Sequence, residues 1–289
     1  MVISKMVDPI EKKPLYHFEP GTDTYSIATA GCNLSCQHCQ NWSISQIHLH
    51  NSLLSNVPGT FMSPQEIVLR AQMEKCSSIS FTYTEPTIWF EFVKDVGIAA
   101  HKEGLSIVLV TNGTITDEAL MELIPYVDAY RVDIKAFSDT FYQDVCKAPL
   151  GTLRKVLSSC KLAFDSGLHV EIVYLVIPDK NDSHDQIADL CDWVMSMLSP
   201  AVPVHFTRYH PDYRMQIPAT PVSTLEAAYQ IARDHGILYP YIGNVPGHRY
   251  EHTYCPNCEK KVIARDRFQS KVLLTDGCCP VCGYRVLIS

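Results

Sequence analysis

Between residues 25 and 242, short apolar runs alternate with amphipathic stretches, and this alternation narrows the possible folds more than any other feature of the chain. The strand candidates are 25–30, 79–83, 105–110, 127–134, 168–177, 202–206 and 237–242. Between them lie helix patterns at 87–102, 116–123, 152–165, 183–198 and 223–234. Gly104, Gly167 and Gly236 follow three of the helices, Pro178 closes the fifth strand, and Thr116 is placed as an N-cap. A strand running parallel to its neighbour needs a crossover of helical length, so the pattern predicts an α/β fold with a mostly parallel sheet. Curled, it makes a partial (β/α)6 TIM-like barrel, two units short of eight. A doubly wound open sheet has the same periodicity and is the alternative.

With 289 residues, 46% hydrophobic and 19% charged, the chain has material for a sizeable core and little tendency to disorder. Its 24 Lys+Arg against 31 Asp+Glu argue against a broad nucleic-acid face. No apolar run has the length of a membrane span and the first residues do not read as a signal peptide, so a cytoplasmic location is expected. The expected organisation is a lead-in arm at 1–24, a barrel at 25–247 and a small tail at 248–289, after the turn-rich 243–247.

Seven of twelve cysteines fall in two clusters, which in a reducing compartment point to metal rather than disulfides. Cys76, Cys146, Cys160, Cys191 and Cys278 are scattered, and burial is the ordinary reading for those in helical patterns. The first cluster is Cys32, Cys36 and Cys39, spaced C-x3-C-x2-C directly after the first strand. Three thiolates on one loop can hold three corners of a cubic iron–sulfur cluster and leave one iron open. A c-type haem would need His after Cys39, where Gln40 stands; a thioredoxin-like pair needs no third cysteine. A structural zinc would take a fourth ligand from His38, His48 or His50.

The tail carries Cys255-Pro-Asn-Cys258 and Cys279-Pro-Val-Cys282, two knuckles twenty residues apart. This predicts a closed four-sulfur site in a ribbon too small to fold without metal. Zinc is favoured, with a rubredoxin-type iron as the alternative.

The C-x3-C-x2-C loop at the end of a first barrel strand resembles the signature of the radical S-adenosylmethionine (SAM) superfamily. That resemblance implies a 4Fe-4S cluster on Cys32, Cys36 and Cys39 whose open iron binds SAM. It also implies reductive cleavage to a 5′-deoxyadenosyl radical and hydrogen abstraction from a substrate. Later strand ends fit the same plan. Tyr83-Thr84-Glu85-Pro86 is similar to the family's Gly-Gly-Glu-Pro segment with both glycines replaced, and there Glu85 and the strand-end backbone would hold the SAM ammonium. Asn112 lies in a polar turn placed for a ribose or carboxylate. Asp133, Lys135 and His210 look like positions that contact SAM or substrate in the activating-enzyme branch. Singly, each has an ordinary structural reading, as a turn, an ion pair or a satisfied histidine; their order at successive strand ends supports the pocket.

More narrowly, residues 10–18, 28–33, 39–42, 206–215 and 244–248 resemble the AmmeMemoRadiSam radical SAM proteins, relatives of pyruvate formate-lyase activating enzyme. The resemblance implies an anaerobic oxidoreductase using a low-potential donor of flavodoxin or ferredoxin type, in company with AMMECR1-like and Memo-like proteins. One alternative within it installs a glycyl radical on a partner protein. The alternative outside it is an iron–sulfur electron carrier without SAM chemistry, which would have no use for the polar strand ends.

Overall fold

Each parallel strand enters the sheet as an apolar run and leaves it at a polar turn. The computed structural model describes residues 1–47 and 59–289. Behind an antiparallel edge strand, β1 (Ser4–Pro9), seven strands lie side by side in chain order. They are β2 (Asp23–Ala28), β3 (Ser78–Phe81), β4 (Ser106–Thr111), β5 (Ala129–Asp133), β6 (His169–Val176), β7 (Val204–Arg208) and β8 (Pro240–Gly243). Every adjacent pair from β2 to β8 is parallel. The order never doubles back past β2, which rules out the doubly wound sheet. Among the described residues β8 does not pair with β1, so the sheet is a partial barrel.

The crossovers are α1 (Pro64–Met73), α2 (Phe90–Lys102), α3 (Asp117–Leu123), α4 (Asp139–Asp144) with α5 (Thr152–Asp165), α6 (His184–Met197) and α7 (Val222–Asp234). Two of these, α1 and α4, are additions to the sequence reading. The signal for α1 was present: Ser63 and Glu66 form a capping box, with Ser63 N–H donating to Glu66 at 2.6 Å and Glu66 N–H to Ser63 Oγ at 3.2 Å. Period-two alternation assigns the strand faces. Ile79, Phe81, Ile107, Leu109, Tyr130 and Val132 point outward into the main core beneath the helices.

Residues 1–24 are not the irregular arm expected. Residues 4–9 form β1, pairing Ser4 with Ala28 and Asp8 with Thr24. Its edge position hid it from pattern reading, because the apolar Met6 and Val7 are exposed and the charged Asp8 is the buried residue. The following segment then turns into the barrel, where Ile10, Leu15 and Phe18 pack on the inward-facing Val108 and Ala129. Burying each such side chain contributes roughly 1.5–3 kcal/mol. The arm therefore plugs the barrel at the end where the strands begin.

A buried carboxylate fixes the plug. Glu171 on β6 accepts the N–H groups of Tyr16 (2.9 Å) and His17 (2.7 Å) and the Nε2–H groups of His169 (3.0 Å) and His205 (2.6 Å). Burial opposes its charge, but His169 and His205 outweigh that and hold the acid well below the usual carboxylate range. The tail closes over the plug as a second sheet, β9 (Thr253–Tyr254), β10 (Lys261–Asp266) and β11 (Gln269–Val272). Arg265 donates to Tyr16 O at 2.7 Å and to Thr253 Oγ1 at 2.8 Å, with its guanidinium 3.9 Å above the Tyr16 ring. His17 Nδ1–H donates to Leu287 O at 2.8 Å while its Nε2 accepts from Tyr241 Oη at 2.6 Å. Ser289 N–H closes the seam on His17 O at 2.8 Å.

Burial holds the His17 ring neutral, with its pKa brought down to about 4 against the pull of Glu171. The unfolded chain takes up this proton near pH 6.5 and the folded chain only near 4, so stability falls as pH drops through that window. The shift corresponds to a loss on the order of 3 kcal/mol. Thermal unfolding midpoints measured from pH 7 to pH 4 are expected to fall, and His17→Gln, which keeps a polar contact without titrating, is expected to flatten that slope. An equal slope in the variant would remove His17 from the account.

Candidate active site and metal centre

Parallel strands deliver their C-terminal ends to one rim, and that rim collects the sequence-predicted residues. The cysteine loop leaves β2 and is tied down on three sides. Gly31 N–H donates to Ile44 O at 2.9 Å, in the helical turn Trp42–Ser45. Ser35 and Gln37 N–H donate to Cys146 O (3.1 Å) and Val145 O (2.9 Å) beyond α4, and Gln37 O accepts from Arg214 N–H at 3.0 Å. Sequence reading left Cys146 among the scattered cysteines; it is buried and its thiol meets Cys36.

The three predicted ligands sit in different surroundings. Cys32 Sγ receives Leu34 N–H at 3.5 Å and lies 3.8 Å from Asn112 Nδ2. Cys39 Sγ lies 3.1 Å from Ser45 Oγ. Burial pushes the Cys32 thiol up to about 12, helped by Glu85, and raises Cys39; Cys36 is raised by its contact with Cys146 and by burial. Such thiols become thiolates when a metal replaces the proton, which is the chemistry a cluster supplies. His48 and His50 lie outside the described residues. His38 is buried, its ring 6.1 Å from Phe141. Burial, then Lys135, brings its pKa down to about 3.

The other rim residues divide into those facing the pocket and those bracing it. Glu85 is a brace. It is buried, with Oε1 accepting from Thr111 Oγ1 at 2.7 Å and Oε2 from Asn112 N–H at 2.8 Å. Both oxygens are thus engaged by the next strand's end and turn. Asn112 is presented by that turn: its Nδ2 donates to Asn33 Oδ1 at 2.8 Å and its Oδ1 accepts Thr114 N–H at 2.9 Å. Gly113, at φ +76°, is required there, since a Cβ would lie 2.9 Å from both Val132 and Val156.

Tyr83 occupies the first of the two positions read as replaced glycines and keeps a glycine-like φ of +67°. Left-handed geometry costs a non-glycine residue roughly 1–2 kcal/mol. Its hydroxyl donates to Asp8, and Lys13 Nζ lies 4.4 Å from its ring centre. Thr84 Oγ1 donates to Thr29 O at 2.9 Å, joining the β2 and β3 loops.

Asp133 accepts from Arg131 at 2.5 Å and Lys135 at 2.7 Å. Burial opposes both charges of the latter pair; Arg131 and Lys135 nonetheless lower the acid, while Asp133 and Cys36 raise the ammonium. Lys135 is thus a fixed cation beside the cysteine loop. His210 is more than half exposed at the rim, with Nδ1 3.2 Å from Gln40 Nε2.

At the other end of the barrel, the four tail cysteines converge, with all sulfurs within 4.8 Å of one another. Cys255–Cys282 and Cys258–Cys279 are separated by 3.5 and 3.6 Å. A tetrahedral ion with bonds of about 2.3 Å requires sulfurs about 3.8 Å apart, so the quartet fits one ion. The Asn257 side chain and the Tyr284 N–H draw the Cys282 thiol down to about 6, favouring a thiolate. Cys278, next to Cys279, stands outside the quartet. Among the described residues no helix is long and apolar enough to cross a membrane.

A model of the radical SAM superfamily matches residues 26–191, more than half of the chain. The chain belongs to that superfamily. Uncharacterized protein MJ0808 of Methanocaldococcus jannaschii is 45% identical over 289 residues, covering 99% of this chain and 84% of that one. Pyruvate formate-lyase 1-activating enzyme of Escherichia coli is 25% identical over 171 residues, 58% of this chain and 66% of that one. In fold, a radical SAM methyltransferase from Sphaerobacter thermophilus superposes with a TM-score of 0.58 at 19% identity, over 78% of this chain and 67% of that chain. Family membership implies a 4Fe-4S cluster and SAM, and the cysteine loop and strand-end rim are where this fold would hold them.

For the tail, Cys282→Ser is expected to remove the bound metal and lower the unfolding midpoint of the full chain, because metal binding and ribbon folding are one equilibrium. Metal analysis and calorimetry on the same sample check it; an unchanged metal content would exclude the quartet.

Proposed function

We propose that this protein is a radical SAM enzyme that binds SAM at the cysteine-loop rim and abstracts a hydrogen atom from a small-molecule substrate within the barrel. The observation that carries the reading is the convergence of Cys32, Cys36 and Cys39 with Asn112, Asp133 and Lys135 at one rim. When bound, cluster and SAM supply a one-electron reductive cleavage that yields a 5′-deoxyadenosyl radical. The chain's own groups bind, orient and shield. Cys32, Cys36 and Cys39 would hold the cluster, and Lys135 balances thiolate charge beside Cys36. Asn112 presents a donor next to Cys32, and the Glu85 brace fixes the turn that carries it. Trp89 packs edge-on to Phe81 at 5.4 Å and stacks on Phe92 at 5.1 Å, bringing apolar rings to the base of the β3 loop.

The tail ion belongs to the far end of the barrel. Eight-residue β6 spans about 25 Å, and the tail lies where that strand begins, with His169 Nδ1 2.9 Å from Ser289 Oγ. This placement supports a structural ion, with zinc the preferred metal, over a relay feeding the rim. The electron would come from a low-potential donor. Installation of a glycyl radical on a partner protein is the second reading, resting on the 25% identity to the activating enzyme.

Anaerobically reconstituted protein with dithionite and SAM is expected to release 5′-deoxyadenosine, and Cys36→Ala to abolish both the cluster absorbance and the product. Cluster-loaded protein that yields no 5′-deoxyadenosine would leave the electron-carrier alternative standing.

A further inference from the structure

Two cation–carboxylate–cation triads line the barrel interior. In one, Asp8 accepts from Lys12 at 2.7 Å and from Lys13 at 2.6 Å. In the other, Asp133 accepts from Arg131 and Lys135. Within the triads four cations thus face two carboxylates; a third interior carboxylate, Glu171, is the register partner of Arg131 on β6 but is taken up by Tyr16, His17, His169 and His205. The inward members of the two triads are Lys13 and Arg131: Ile10 and Leu15, either side of Lys13, pack in the lumen with Val110, and Val110 is the register partner of Arg131; burial brings Lys13 down to about 8 despite Asp8. Both cations are buried, at 3% and 7% exposure, and Arg131 Nε is buried without a hydrogen-bond partner among the described residues. Buried like charges and an unmet guanidinium donor are costly unless an anion answers them.

The expected cofactors do not supply that anion. Lys135 stands beside the cysteine loop, and an anionic cluster there offsets its charge. SAM brings an ammonium and a sulfonium against one carboxylate, so it adds positive charge. Lys12 is partly exposed and screened by water. What remains is the inner pair, with the Tyr83 hydroxyl 3.3 Å from Lys13 Nζ. Tyr83 reaches the arm from the rim-side β3 loop, so the inner pair lies below the SAM rim.

We propose that Lys13 and Arg131, with Tyr83, bind the negatively charged group of a small-molecule substrate, a carboxylate or a phosphate, inside the barrel below SAM. That the anion belongs to a substrate rests on the radical SAM reading; the anion site itself rests on the two triads. An arginine fork on β5 and an ammonium on the arm suit a planar carboxylate or a phosphoryl group. The N-terminal arm, which supplies Asp8 and Lys13, is then part of the substrate site as well as the barrel's plug.

The test is the thermal unfolding midpoint of anaerobically reconstituted, SAM-saturated full-length protein. Sodium phosphate and sodium succinate are titrated against sodium chloride at equal ionic strength. At least one of the two anions is expected to raise the midpoint saturably, and Arg131→Gln and Lys13→Met are each expected to weaken the half-saturating concentration by about tenfold or more. Where Arg131→Gln does not fold, Arg131→Lys serves, keeping the charge while removing the fork, with a smaller loss expected. No saturable shift with either anion, or one that survives unchanged in the variants, overturns the proposal. Release of 5′-deoxyadenosine by the wild type without added anion is measured separately: its absence would sink the radical reading while leaving the anion titration to be judged by itself.

Discussion

The Glu171 carboxylate is the contact on which the architecture turns. It lies inside a barrel, out of water, and is tolerable there only because it receives two backbone N–H groups and two imidazole N–H groups. Those donors come from the N-terminal arm, β6 and β7. One buried charge therefore joins the beginning of the chain to the middle of the sheet. Arg265 and His17 extend the junction to the tail, so the ribbon cannot be displaced without uncovering polar groups that the plug had satisfied.

This closure divides labour along the strands. At their beginnings the interior is plugged by Ile10, Leu15 and Phe18 and roofed by the four-cysteine ribbon. At their ends the loops are free to carry chemistry, as parallel barrels generally arrange it. A partial barrel has unsealed edges; here β1 covers one of them in antiparallel pairing. The same segment that stabilises the edge delivers Asp8 and Lys13 into the lumen, so edge protection and a buried ion pair come from one stretch of chain.

Much of the fold was legible because periodicity and punctuation are local. The seven parallel strands and five of the helices follow from apolar runs broken by Gly and Pro, and Thr116 caps α3 as its position suggests, accepting Ala119 N–H at 3.3 Å. Strand β1 was not legible, since this edge strand exposes Met6 and Val7 and buries Asp8, the reverse of the usual burial pattern. Among the site residues, Glu85 shows how far motif reading goes: its place at a strand end was readable, but not the inward turn that engages both oxygens with Thr111 and Asn112. His210 likewise reaches the rim but stays mostly in solvent.

The sequence by itself determined the parallel α/β plan, the superfamily, and the two clusters of cysteines with metal-ligand spacing, because spacing within one loop or between two knuckles survives in one dimension. Only the tertiary structure decided what the first twenty residues do, where the ribbon sits, and which charges meet inside the barrel. Those depend on contacts such as Tyr16 with Glu171 and Arg265 with Tyr16, 155 and 249 positions apart in the chain. Partners so distant leave no local pattern, because burial and hydrogen bonding, rather than spacing, bring them together.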